Sequence, residues 1–149
     1  MTMRMTTRAL FFALPLLLTG CSLLWPGSDD DGGHSVACTL EFVTYAVDVR
    51  LPDGSPADSV TVITTNERTG VTYGQCLDPN EIGVGCAVDG EPGRYVVYTD
   101  GQVDQTSETG DDVTVRGWRG DLTFEAAFRF SGGACHVGKL AGPESVTLR

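Results

Sequence analysis

From Cys38 onward, apolar and polar positions alternate with a period of two. Val43, Tyr45, Val47 and Val49 fall on one side of an extended chain, and Thr44, Asp48 and Arg50 on the other. That spacing predicts a half-buried strand. Pro52-Asp53-Gly54-Ser55-Pro56 then supplies a turn, because Pro presets φ and Gly tolerates positive φ. Further strands are expected over 60–65 and 71–73, separated by a turn at Asn66-Glu67-Arg68-Thr69-Gly70. In 94–99 both Tyr95/Val97 and Val96/Tyr98 are apolar, so both faces of that strand are expected to be buried. The strongest alternation is Leu122, Phe124, Ala126, Phe128 and Phe130 against Thr123, Glu125 and Arg129. With strands over 113–116 and 145–148, this makes about seven short strands and no helical period. The expectation is an all-β, antiparallel seven-stranded Greek-key sandwich.

The N-terminal pattern is different. Arg4 and Arg8 precede an apolar run from Ala9 to Leu18 interrupted only by Pro15. A ten-residue run falls well short of the roughly 20 needed to cross a bilayer as a helix, so it reads as a secretory signal. It ends in Leu18-Thr19-Gly20-Cys21, which resembles the lipobox of bacterial lipoproteins. The resemblance implies diacylglycerol on the Cys21 sulfur, cleavage before Cys21, and acylation of the freed amine. One acyl chain holds a protein marginally, whereas two or more hold it stably. Ser22 after the cysteine implies, by the family's sorting tendency, the outer membrane of a Gram-negative cell.

The expected organisation is therefore a lipoprotein signal peptide over 1–20, a lipidated tether over 21–37 and a β-sandwich domain over 38–149. The tether is rich in Gly, Ser and Asp. Its Asp29-Asp30-Asp31 run lacks the defined loop that a calcium site needs and reads as solvated linker.

Of the 149 residues, 20 are acidic and ten basic, a formal charge of −10. Cleavage before Cys21 removes two arginines and no acid, leaving −12. No nucleic-acid partner is expected, since phosphate affinity comes from clustered Lys and Arg. Anionic membrane surfaces would repel the chain, so membrane attachment falls to the lipid.

Five cysteines leave four once Cys21 is lipidated, and four can pair in three ways. Cys76 and Cys86 are close enough for a local staple, which leaves Cys38 to join Cys135. A zinc reading with His34, Cys38, Cys135 and His136 is disfavoured, because neighbouring Cys135 and His136 project to opposite faces of a strand. No metal and no cofactor is expected.

Val47-Asp48-Val49 running into Leu51–Pro56, Ser59-Val60-Thr61-Val62, and Glu91-Pro92-Gly93-Arg94-Tyr95-Val96-Val97 together resemble carboxypeptidase regulatory-like, or transthyretin-like, domains. The resemblance implies a strand and turn, an adjoining strand, and an entry to a central strand. Cys135-His136-Val137 followed by Val146-Thr147-Leu148 resembles a cysteine-bearing variant of bacterial lipoproteins. The family's aromatic Gly-Tyr motif is replaced here by Gly101–Glu108, so the ligand role of that aromatic does not carry over.

Candidate chemistry is sparse. His34 lies in the tether, and His136 has no serine elbow or cysteine nucleophile nearby in sequence. Asp111 and Asp112 read as flanking a turn, not as a glycosidase pair. Trp118, with Arg116 and Arg119 beside it and Gly117 and Gly120 around it, is the candidate binding corner, by stacking on a sugar or a partner. Its alternative role is to close one end of the sandwich. The functional expectation is a non-enzymatic, lipid-anchored envelope module for adhesion, structure or partner binding, with an envelope protein or glycan as partner. A carbohydrate-binding or protease-inhibitory surface module is the alternative.

Overall fold

A computed structural model describes residues 37–74, 76 and 83–149, all within the unit Ser35–Arg149. The apolar leader, the Cys21 motif, Asp29–Asp31, His34 and Leu77–Asn80 lie outside the described residues.

Eight strands form two packed sheets: β1 (Thr44–Arg50), β2 (Thr61–Asn66), β3 (Thr72–Gly74), β4 (Arg94–Thr99), β5 (Asp111–Arg119), β6 (Leu122–Gly132), β7 (Val137–Ala141) and β8 (Ser145–Thr147). The three-stranded sheet runs β4-β1-β8 and the five-stranded sheet β3-β2-β5-β6-β7. This is a β-sandwich, mostly antiparallel, and it corrects two expectations. There are eight strands among the described residues instead of seven, and β1 and β8 pair in parallel. The parallel pair arises because the chain leaves β7 in one sheet and crosses to the other through Gly142, whose φ of 129° lies where L side chains are strained.

Alternation places the core. Val47, Val49, Val62, Val113, Val115, Phe128, Phe130 and Leu148 are buried between the sheets. A bulge places more of β4 there. Tyr98 faces Tyr45 and Val96 faces Ala46, so Val97 is an extra residue on β4. The extra residue rotates the strand, and Tyr95, Val97 and Tyr98 all join the core. Tyr98 stacks on Phe130 at 4.4 Å between ring centroids. A second extra residue, Leu140 on β7, is left exposed.

β4, which the family resemblance makes central, is at the edge of its sheet by strand order. It is nevertheless buried, because the chain from Gly85 to Val88 lies along it: the Gly85 N–H donates to the Val96 carbonyl and the Val96 N–H to the Cys86 carbonyl. Cys86 is bonded to Cys76, just beyond β3, so that disulfide staples the edge of one sheet to the strip that covers the edge of the other. The second disulfide joins Cys38 to Cys135 and ties the entry of the domain to the β6–β7 connection. Both pairings match the sequence reading.

The Pro92-Gly93 turn is fixed by contact as well as by conformation. Gly93 has φ of 77°, and a Cβ there would come within 2.9 Å of the Val49 carbonyl oxygen and the Pro56 ring. Two residues on, the buried Tyr95 hydroxyl accepts the Val60 N–H at 3.0 Å and donates to the Ala57 carbonyl at 3.0 Å. This clamps the β1–β2 connection on both sides of Ser59, whose φ of 57° is left-handed. Tyr95→Phe strands a buried donor and a buried acceptor, and is expected to cost about 2 kcal/mol. Urea unfolding checks this. A loss below about 0.5 kcal/mol would show that the clamp does not hold the connection.

Candidate functional site

The structure separates the sequence candidates into three places. Trp118 lies near the end of β5, opposite Thr61 of β2 and Thr123 of β6. It faces outward and is 38% exposed, so it does not plug the gap between the sheets. It lines a cleft of about 340 Å3 with Val60, Thr61, Val62, Cys76 and Gly85. Its neighbour Gly117 is dictated by packing: the Phe124 ring lies across it, and a Cβ there would fall 2.3 Å from the ring. Arg116 shares the outward face and donates from Nε to Glu125 Oε2 at 2.7 Å. Both side chains are half or more exposed, so the pair orients the guanidinium more than it stabilises the fold. Arg119 lies where β5 turns into β6, next to Gly120 with φ of 59°. The surface is therefore an aromatic ring between two threonines, with an oriented cation one row away. Such a surface can stack on an apolar sugar face and hydrogen-bond its rim.

His136 is held in a second place, by partners far from it in sequence. Thr99 caps a 3-10 turn, Asp100–Gln105, that follows β4. Asp100, at its start, accepts N–H bonds from Val43 at 2.7 Å and Val137 at 2.9 Å, and meets His136 Nδ1 at 2.6 Å. On the other side of the ring, Nε2 lies 3.0 Å from the Thr39 hydroxyl oxygen. Burial pushes the Asp100 carboxyl up, but the Val43, His136 and Val137 bonds outweigh it and hold it below the ordinary carboxylate range. A hydroxyl, an imidazole and a carboxylate in this order have the connectivity of a nucleophile with its base and orienting acid. Here the same carboxylate also binds the main chain of residues 43 and 137, beside the Cys38–Cys135 disulfide. The cluster therefore fastens the entry segment to β7.

Asp111 and Asp112 directly follow the Ser107–Gly110 turn, as the sequence reading has them. They open β5, with Asp111 buried and Asp112 exposed on the opposite face. Asp111 receives Arg68 Nε at 2.6 Å and Nη2 at 2.9 Å, Asn66 Nδ2 at 2.8 Å and the Ser107 N–H at 3.1 Å. Arg68 first, against the opposing effect of burial, and then Asn66 and Ser107, lower its pKa to about 2. Asn66 in turn accepts the Arg68 and Thr69 N–H groups, so one network shapes the β2–β3 turn and docks it on β5. Among the described residues, no cluster of three or more His, Cys, Asp or Glu side chains is placed to hold a metal ion.

Comparison of the chain with protein-family models, curated proteins and solved structures finds no match.

Proposed function

We propose that this protein is a lipid-anchored β-sandwich module of the bacterial cell envelope, without catalytic activity, that binds a partner at the membrane surface. The observation that carries the reading is the use of the cysteines. Cys38, Cys76, Cys86 and Cys135 are all joined in intrachain disulfides, as suits an oxidising compartment. The one left over is Cys21, placed after an apolar leader in a lipobox-like setting. Ser22 favours the outer membrane. The finer fold reading is transthyretin-like. It is supported by where the three family-like segments fall: in β1 and its turn, in the entry to β2, and in the Pro92-Gly93 turn leading to β4. Expressed with its own leader, the protein is expected to incorporate a clickable palmitate analogue and to sediment with membranes. Cys21→Ser is expected to lose the label and leave the membrane fraction. Unlabelled wild-type protein, or Cys21→Ser that still sediments, would contradict the anchor.

The outward setting of Trp118 favours a second reading, in which the partner is a glycan. Of the two tryptophans, Trp25 and Trp118, the first is replaced by Phe so that emission reports Trp118 alone. Under this reading, titration with envelope oligosaccharides quenches or shifts that emission saturably. A flat response across glucans, chitooligosaccharides and peptidoglycan fragments removes it.

A further inference from the structure

The segment that leads into the sandwich is pinned at both ends and presents its apolar side chains to solvent. At its start Cys38 is bonded to Cys135, and the Thr39 hydroxyl oxygen lies 3.0 Å from His136 Nε2. At its end the Val43 N–H donates to the Asp100 carboxylate at 2.7 Å, and the Val43 carbonyl accepts the Asp100 N–H at 3.1 Å. Between these fastenings Leu40 is fully exposed and Phe42 is 58% exposed among the described residues. Fixing a loop costs conformational entropy that is ordinarily recovered by packing its apolar residues inward. This loop is fixed with them outward. Glu41 is the only charge from Cys38 to Val43. The exposed Trp118 is at the far end of the sandwich: β6 runs from Thr123, opposite Trp118, to Gly132, opposite Val137. Nine residues of strand span roughly 30 Å.

We infer that Leu40 and Phe42 insert into the interface of the bilayer that holds the Cys21 lipid, an inference that rests on the lipid-anchored reading. The place of the loop in the chain selects that occupant. Leu40 comes 19 residues after Cys21, and a chain of that length reaches at most roughly 65 Å when extended. A bilayer carrying the anchor therefore stays within reach of the loop, at an effective concentration that a soluble partner would have to match. Leu and Phe are side chains that bury at the boundary between headgroups and acyl chains. Two of them hold a protein weakly on their own; beside a covalent lipid they set its orientation. Charge narrows the surface further. With Glu41 in the loop and −12 on the chain from Cys21 onward, a zwitterionic layer such as phosphatidylethanolamine suits the loop and an anionic one does not. Docked this way, the sandwich stands with its entry end on the membrane and Trp118 roughly 30 Å farther out, where a partner meets it.

The test uses protein purified from membranes and reconstituted in vesicles of phosphatidylethanolamine and phosphatidylcholine. Trp25→Phe with Trp118→Phe and Phe42→Trp leaves one reporter in the loop, and Trp25→Phe alone leaves Trp118 as the reporter. The loop reporter is expected to emit at shorter wavelength and to be quenched by lipids spin-labelled near the headgroup, whereas Trp118 is not quenched. Without any reporter, the amides of Leu40, Glu41 and Phe42 are expected to show protection factors about tenfold higher in the wild type than in Leu40→Ser/Phe42→Ser, which keeps the anchor. The inference is overturned if the loop reporter emits as it does in water, if Trp118 is quenched as strongly, or if the double variant is protected equally. A blue shift that grows with protein density and ignores the quencher lipid overturns it in favour of a second copy of this chain. The intact mass of the same preparation reports the lipid on Cys21. Without that lipid the anchor and the docking both fail; with it, a solvent-exposed loop overturns the docking alone.

Discussion

Replacing Cys38 and Cys135 together by serine is expected to lower stability by about 4 kcal/mol, close to the chain-entropy ceiling of about 4.7 for a loop of this length. The bridge closes a sequence separation of 97 residues, whereas Cys76–Cys86 closes ten. The logarithmic dependence on loop length leaves the shorter bridge about 2 to 3 kcal/mol. The long bridge also lies beside the Asp100–His136–Thr39 cluster, which continues to hold residues 39–43 when the sulfurs are gone. The folded state therefore changes little, and most of the loss comes from a freer unfolded chain. With a urea dependence of roughly 2 kcal/mol per molar, the midpoint falls by about 2 M. A fall of under 0.5 M would mean that the bridge constrains nothing the rest of the fold does not already fix.

Arg68→Met is expected to cost about 2 to 3 kcal/mol at neutral pH, from the opposite cause. It leaves the folded state with a buried carboxylate, Asp111, whose remaining donors among the described residues are Asn66 and Ser107. The half-exposed guanidinium keeps the figure at the lower end of the range for broken buried pairs. In the wild type, Asp111 titrates at about 2 when folded, against an ordinary value of 3.8. The folded state therefore binds its proton less readily than the unfolded chain. The stability this contributes is fully present above about pH 5 and is lost as pH falls from about 4 towards 2. Asp100, also lowered, adds in the same direction. Without Arg68 the largest influence that lowers the Asp111 carboxyl is gone, so its acid-dependent contribution shrinks and the variant gains on the wild type as pH drops. Denaturation at pH 7 and pH 3 is expected to show the gap closing; a gap constant with pH would rule out the carboxylate as its origin.

The sequence revealed what local pattern controls. The alternation from Leu122 to Phe130 is strong enough to place both faces of β6, and the doubly apolar 94–99 announces the burial of β4. It could not reveal β7, where Gly138 and Lys139 interrupt the apolar alternation and the extra residue at Leu140 shifts its phase. β5 was read as four residues and has nine, because its ends carry Asp111, Asp112 and Arg119, which look like turn residues until their partners are known. The two carboxylate networks are long-range. Arg68 reaches Asp111 across 43 residues and His136 reaches Asp100 across 36, and neither pair belongs to a local motif. The parallel pairing of β8 is likewise a property of the crossover at Gly142 and not of Ser145–Thr147.

The most direct test of the account is mass spectrometry of the protein recovered from membranes of cells expressing it with its own leader, digested without reduction. The account predicts an N-terminal peptide that begins at Cys21 and carries diacylglycerol, together with cross-linked peptides joining Cys38 to Cys135 and Cys76 to Cys86. A chain that retains Met1 to Gly20, is recovered from the cytosol and has all of its thiols free would contradict it.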